Sequence, residues 1–244
     1  MSGRVHRQPE RTVAPVVQRV RMHHAKRGRL RFSSHRDFQR SLERALRRAE
    51  VPIAFTAGFS PHPRISYAGA APTGVASEAE YLELALSVEV DPFEVAGRID
   101  EALPTGFDVI EVVTARTPDF AERLAASRWR LGLPEIGPDL LGAAVAALMA
   151  QEAVEVTRLT KAGLRAFDAR GALIAAMVSG DPGCGILEVV VRHGTPAVRP
   201  DDVLAALRQV ADLVPLVPPV VTRLAQGPLL PDGVSIGDPL DPDR

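Results

Sequence analysis

The order in which hydrophobic periodicities follow one another constrains this chain more than any single motif does. Residues 16–32 alternate around Lys26-Arg27-Gly28 and predict a strand, a turn and a further strand. Ser34-His35-Arg36-Asp37 has capping-box spacing with Asp37 in place of the usual Glu. Phe38, Leu42, Ala45, Leu46 and Ala49 then recur at helical spacing to about Glu50, and Pro52 stops the helix. A Gly/Pro loop over 57–63 leads to a short strand over 64–69, and the apolar run Tyr81 to Val88 reads as another strand. Asp91 caps a helix to about Leu103, and Phe107 to Thr114 is a further strand.

The second half has the same order. Arg128–Leu133 reads as a strand, Pro138–Gln151 as a helix, Val154–Leu159 and Ile186–Val191 as strands, Pro200–Val210 as a helix capped by Asp201 or Asp202, and Val220–Ala225 as the last strand. No residue-by-residue repeat accompanies the shared order. The pattern predicts an α+β fold of tandem ferredoxin-like (βαββαβ) units, each an antiparallel sheet with its helices on one face. The expected division is a disordered N-terminus (1–14), a basic first unit (15–116), a second unit (117–226) and a Pro/Gly/Asp-rich mobile tail (227–244).

The chain is 244 residues long and 46% apolar but only 5% aromatic, so its core must be built mainly from Leu, Val, Ile and Ala. The single cysteine, Cys184, excludes an internal disulfide and any multi-cysteine metal or cluster site, and reads as a small residue in the turn DPGCG. His23 and His24 fall on opposite faces of a strand and His193 is far off in the chain, so no metal site is expected. No GxGxxG precedes a helix and there is no P-loop, and no cofactor is expected. No run of about 18 apolar residues and no signal-peptide core occur, which predicts a cytoplasmic protein without a membrane partner.

A net charge of −1 hides a strong asymmetry. Residues 1–50 hold 14 Lys and Arg against 4 Asp and Glu, leaving 15 against 26 in the remainder. At 100° per residue, with Arg40 at zero, Arg36, Arg44, Arg47 and Arg48 fall between about −40° and 80° on the first helix, while its apolar set lies between about 140° and 240°. Five arginines thus form a stripe opposite the core, with only Glu43 placed to pair at i+4, with Arg47. Guanidinium groups grip phosphate oxygens in a bidentate fork and stack on bases, so the stripe suits nucleic acid. The same pattern also fits a solvated face, or one that pairs with the acidic half. Arg19, Arg21, Arg29 and Arg31, at alternate positions of the expected strands, add to the positive surface, as do Lys26 and Arg27.

In GFSPHPRISYAG, Pro61 and Pro63 stiffen a loop that carries Gly58, Ser60, His62 and Arg64. Such a loop can recognise, catalyse or merely connect. His35 could approach His62 if the loop folds back, and the two could then serve as acid and base beside Arg64. In APTGVASEAEYLEL, Ser77, Glu78 and Glu80 read as turn and edge polarity.

Three motifs, K-x-G-x-L-R-F-x-S-H, E-R-A-x-R-R-A and G-F-x-P-H-P, together make residues 17–115 resemble the radical-SAM-linked protein family, a domain of unknown function. The rest matches more loosely, including KAGLRAFDARGALIAAM. That family resembles a C-terminal extension of cobalamin-binding radical SAM proteins in many bacteria. In actinobacteria it is a separate chain encoded beside ribonuclease E/G and ribosomal-protein genes, which the high Ala, Arg and Pro content fits. The resemblance implies no assigned reaction. Radical SAM chemistry would have to come from a partner, since the three-cysteine cluster motif is missing. At fold level alone the tandem arrangement also resembles CRISPR repeat-processing endonucleases.

The expectation is an RNA-binding accessory protein for tRNA or rRNA. Arg29, Arg31, Arg36, Arg40, Arg44, Arg47, Arg48 and Arg64 would contact the nucleic acid, and a radical SAM protein or ribonuclease E/G would be the partner. The alternatives are a metal-independent RNA-cleaving or RNA-modifying enzyme using His35, His62 and Arg64, and a protein-protein adaptor.

Overall fold

Strand β1, Gln18–Lys26, turns Val20 and Met22 to one side of the sheet and Arg19, Arg21 and His23 to the other. These coordinates, a computed structural model, describe residues 14–160 and 163–244. The expected disordered N-terminus therefore lies outside the described residues except for Ala14. After β1 the chain does not return as a strand. Gly28, at φ +55°, bends it into a 3-10 turn over Gly28–Phe32. The expected second strand fails because both neighbours of β1 are remote in sequence, and the turn is tied to the loop before β4 by an Arg27 N–H donating to the Gly106 carbonyl at 2.7 Å.

Helix α1, His35–Arg48, starts on a complete capping box. The Ser34 hydroxyl accepts from the Asp37 N–H at 3.2 Å, and the Asp37 carboxylate accepts from the Ser34 N–H at 3.1 Å. Strands β2 (Ile65–Ala68) and β3 (Ala76–Leu86), helix α2 (Pro92–Ala102) and strand β4 (Val109–Thr114) follow. Phe38, Leu42 and Leu46 of α1 and Val95 and Ile99 of α2 pack on Val20, Met22, Leu82, Leu84 and Leu86. Each fully buried side chain of this kind contributes roughly 1.5–3 kcal/mol.

A short helix, α3 (Phe120–Arg123), leads to β5 (Ala126–Pro134) and α4 (Pro138–Met149). Next come β6 (Glu155–Thr160) and β7 (Gly163–Asp168), β8 (Leu173–Asp181), β9 (Cys184–Arg192), α5 (Pro200–Ala211) and β10 (Val220–Gly227). The sequence reading placed residues 154–159 in the main sheet of the second half. Instead, β6 and β7 form a separate two-stranded hairpin, and β8 takes the edge position next to β9. Among the described residues of the hairpin, only Val156 is buried in the second core, with Phe167 packed against it, while Leu159 and Leu164 stay exposed.

The main sheet is mostly antiparallel and runs β4-β1-β3-β10-β5-β9-β8, with β2 also on β3. The first half therefore has the order β4-β1-β3-β2, and the second has β10-β5-β9-β8. The second is the same arrangement with β5, β8, β9 and β10 in the places of β1, β2, β3 and β4. The halves join where β10 lies parallel to the start of β3, with Thr222 opposite Ala76 and Arg223 opposite Ser77. Arg223 faces Trp129 across the β10–β5 ladder, its guanidinium 5.3 Å from the ring centroid, and ion-pairs Glu80. Trp129 belongs to the core under α4 and α5, and Glu80 lies on the α1 side of β3, so the long helices of both halves share one face of the sheet. The protein is thus an α+β protein with a largely antiparallel sheet and, among the described residues, five α-helices.

The segment expected to be a mobile tail packs on the opposite face. Leu240 is fully buried with Ala79, Tyr81, Val113, Phe120 and Leu124. Asp243 is buried and accepts from Arg21, Arg123, the Thr117 hydroxyl, and the backbone N–H groups of Arg116 and Thr117. Proline and glycine content reported irregular backbone here, and the anchors were the apolar and acidic residues spaced along it. Among the described residues, no helix is long and apolar enough to cross a membrane.

Candidate nucleic-acid interface

The basic residues of the first half divide into two populations. Arg19 and Arg21 pair with Glu83 at 2.9 and 3.2 Å, on the sheet face away from α1. Arg21 also pairs with Asp243, and Arg27 bridges Glu78 and Asp108. The Lys26 ammonium is buried and donates to the carbonyls of Ala71 and Pro72 at 3.1 and 3.0 Å. For the three arginines the acidic remainder of the chain is indeed the partner.

Arg36, Arg40, Arg44, Arg47 and Arg48 behave differently. All five are exposed, and among the described residues none ion-pairs with a carboxylate. Arg44 makes one long hydrogen bond, 3.3 Å, to the Ser41 hydroxyl. The anticipated Glu43–Arg47 pair does not form. Asp37, the other acid on α1, is committed to the cap, and its hydrogen bonds with Ser34, helped by the Arg40 charge, hold its carboxyl below its ordinary range. The stripe covers a helix of 14 residues, about 21 Å.

Arg29 and Arg31 lie in the 3-10 turn that enters α1, not on a strand. Arg29 is exposed, and Arg31 holds its guanidinium 4.7 Å from the ring centroid of Phe32. Arg64 is exposed at the foot of the Gly/Pro loop, its backbone N–H donating to the Ala54 carbonyl. That loop is a closed hairpin. Phe55 bridges to Pro63, the Thr56 N–H donates to the His62 carbonyl at 2.9 Å, and the His62 N–H donates to the Thr56 hydroxyl at 3.0 Å. At its tip Gly58 has φ +121° and Phe59 is 94% exposed.

The two candidate histidines are not brought together. His35 stands edge-on to Tyr67 at 4.8 Å and lies 3.1 Å from the Gln39 amide, whereas His62 stays in its hairpin. No hydrogen bond or ring contact joins them among the described residues. A closer approximation to a nucleophile–base pair is one that sequence reasoning missed. The Ser127 hydroxyl is 2.7 Å from His193 Nε2, and His193 Nδ1 lies against the Leu124 carbonyl. Ser127 is completely buried between strands, so no substrate atom can reach it.

Sequence reasoning also missed the polar foundation under α1. Ser77 and Glu80, expected at a turn or edge, are buried inside β3. Burial alone would raise the Glu80 carboxyl, but Arg223, with Ser77 and the Ala71 N–H, holds it below its ordinary range. His24 stacks on Phe38 at 4.4 Å, and burial pushes it down to about 4, so it is neutral at pH 7. This layer fixes the start of α1 and hence the direction of the stripe. The signal available for it was the alternation of Glu80 with Leu82, Leu84 and Leu86, which puts it on the helix-covered face.

An α+β scaffold bearing an unneutralised arginine face on one helix is the class these features define. The chain belongs to the family described as "Uncharacterized protein conserved in bacteria (DUF2344)", whose model matches residues 19–200. No curated protein matches the sequence. A solved structure titled "Crystal Structure of an Unknown Protein from Galdieria sulphuraria" is similar at 14% identity, over 80% of this chain and 92% of that one, with a TM-score of 0.25. A likeness that low carries no conclusion about fold or function.

Proposed function

We propose that this protein binds RNA along the exposed face of α1, as an accessory to an RNA-processing or radical-SAM partner. The observation that carries the reading is that the five α1 arginines meet no carboxylate of the described residues, although the neighbouring Arg19, Arg21 and Arg27 all do. Unpaired guanidinium groups on a rigid helix gain from phosphate contact without first breaking an internal ion pair, and each neutralised phosphate releases counterions. Arg29, Arg31 and Arg64 extend the surface beyond the ends of the helix. The separation of His35 and His62 gives no support to an acid–base mechanism in this site, so any chemistry falls to the partner. The link to a radical SAM protein or to ribonuclease E/G rests on the sequence resemblance, and tRNA or rRNA is the corresponding ligand. We also infer that each half is a ferredoxin-like unit. The strand order shared by the halves supports this, with β6–β7 as an insertion in the second.

Fluorescence anisotropy with a labelled tRNA at low salt tests the RNA reading. Wild type is expected to bind, and Arg40→Glu with Arg44→Glu to lose at least a hundredfold in affinity while melting at the same temperature. Equal affinity of wild type and double variant would reject it.

A further inference from the structure

We infer that the RNA this surface takes is single-stranded, its unpaired bases stacking on Phe32 and Phe59; the inference rests on the RNA-binding reading above. The chain has eight phenylalanines, and three of them, Phe38, Phe107 and Phe120, are buried in its cores. Phe32 and Phe59 are placed differently. Phe32 directly precedes the cap of α1 and is 59% exposed, with the Arg31 guanidinium over its ring. Phe59, 94% exposed, tips the hairpin that the chain enters after leaving the other end of α1. The arginine stripe thus lies between two solvent-facing aromatic rings in the chain.

Neither ring is on a loose segment. Phe32 lies in a hydrogen-bonded turn whose Ser33 N–H donates to the Leu30 carbonyl at 2.9 Å. Phe59 sits above the Thr56–His62 hydrogen bonds and the Phe55–Pro63 bridge, next to Pro61. Presenting an aromatic face on a stiff hairpin removes much of the ordering cost of binding.

The two residue types demand different parts of one ligand. Guanidinium groups take phosphates of any nucleic acid. Phenylalanine rings take base faces, which a duplex keeps inside its own stack and an unpaired strand leaves open. A guanidinium already over the Phe32 ring can continue the stack onto the next base. An RNA duplex would use the arginines and leave both rings in water.

The test compares an unstructured 12-nucleotide A/U-rich single strand with a blunt 12-base-pair RNA duplex, by anisotropy at low salt. Wild type should prefer the single strand. Phe32→Ala and Phe59→Ala should each weaken single-strand binding roughly five- to hundredfold, with duplex binding unchanged. Both rings are solvent-exposed, so melting curves should show the variants folded, and Phe59→Trp should keep wild-type affinity and lose its own fluorescence on titration with the strand. Duplex binding as tight as single-strand binding, or alanine variants that bind the strand like wild type, would overturn the inference. The arginine reading would survive that result if both RNAs still depended on Arg40 and Arg44. Failure of wild type to bind either RNA would overturn both.

Discussion

Arg21 keeps 3% of its side chain in solvent and directs its donors at Glu83, Thr117 and Asp243, whereas Arg40, in the second turn of α1, is exposed and ion-pairs with no carboxylate of the described residues. Arg21 holds the protein together, and its removal would leave the buried Asp243 to Arg123 and the part-buried Glu83 to Arg19. Arg40 contributes little to folding, because an exposed charge with no fixed partner is worth at most a fraction of a kcal/mol. Such a residue can be reversed in sign without unfolding the chain. His24 illustrates the opposite case. It faces Glu80 and Arg223 and stacks on Phe38, and burial keeps its folded-state pKa near 4 against an ordinary value of 6.5. Below pH 6.5 the unfolded chain takes a proton that the folded chain refuses. Stability from this source is complete above about pH 6.5 and declines as pH falls toward 4, by on the order of 3 kcal/mol. Glu80, held low, acts only below its ordinary value of 4.5. Urea denaturation from pH 7 to pH 4.5 should show the midpoint falling, and His24→Phe should flatten that fall. An equally steep fall in the variant would refute the assignment.

Among the elements, α1 is the one whose sequence and structure agree most closely. Its cap, its apolar spacing and its charged face are all local, written between Ser34 and Ala49. Strands β1, β3, β4, β5, β9 and β10 and helices α2, α4 and α5 were legible for the same reason. What the sequence did not show was set by distant partners. The stretch after Gly28 alternates like a strand, yet β1 already has β3 and β4 on its two edges. β8 escaped notice because Ala175, Ala176, Ser179 and Gly180 dilute its apolar signal, and its strand character comes from the β9 ladder. The C-terminal segment is the largest departure. Its composition is that of a tail, but Leu240 and Asp243 find a pocket assembled from β1, β3 and α3 that no local pattern announces. Burial would raise the Asp243 carboxyl, but Thr117, Arg123, Arg21 and the Arg116 N–H hold it well below the carboxylate range. Asp243→Ala should cost about 3–5 kcal/mol, since it leaves Arg21 and Arg123 without their shared carboxylate. Chemical denaturation measures this directly, and a loss below about 1 kcal/mol would mean that the segment is not anchored as described.

At the scale of the whole molecule, charge and architecture serve one arrangement. A continuous sheet carries α1, α2, α4 and α5 on one face and α3 with the C-terminal segment on the other, and the Arg223–Glu80 pair at the β10–β3 join ties the two halves beneath the start of α1. Carboxylates of residues 51–244 neutralise Arg19, Arg21 and Arg27 and, among the described residues, leave those of α1 unpaired, as the proposed binding of an external polyanion requires. The salt dependence of RNA affinity tests this most directly. If the five α1 arginines neutralise phosphates of a single strand, the plot of log K against log salt should have a slope of roughly −3.5, and Arg40→Gln should make it shallower by about 0.7. A slope near zero, or one that Arg40→Gln leaves unchanged, would contradict the account.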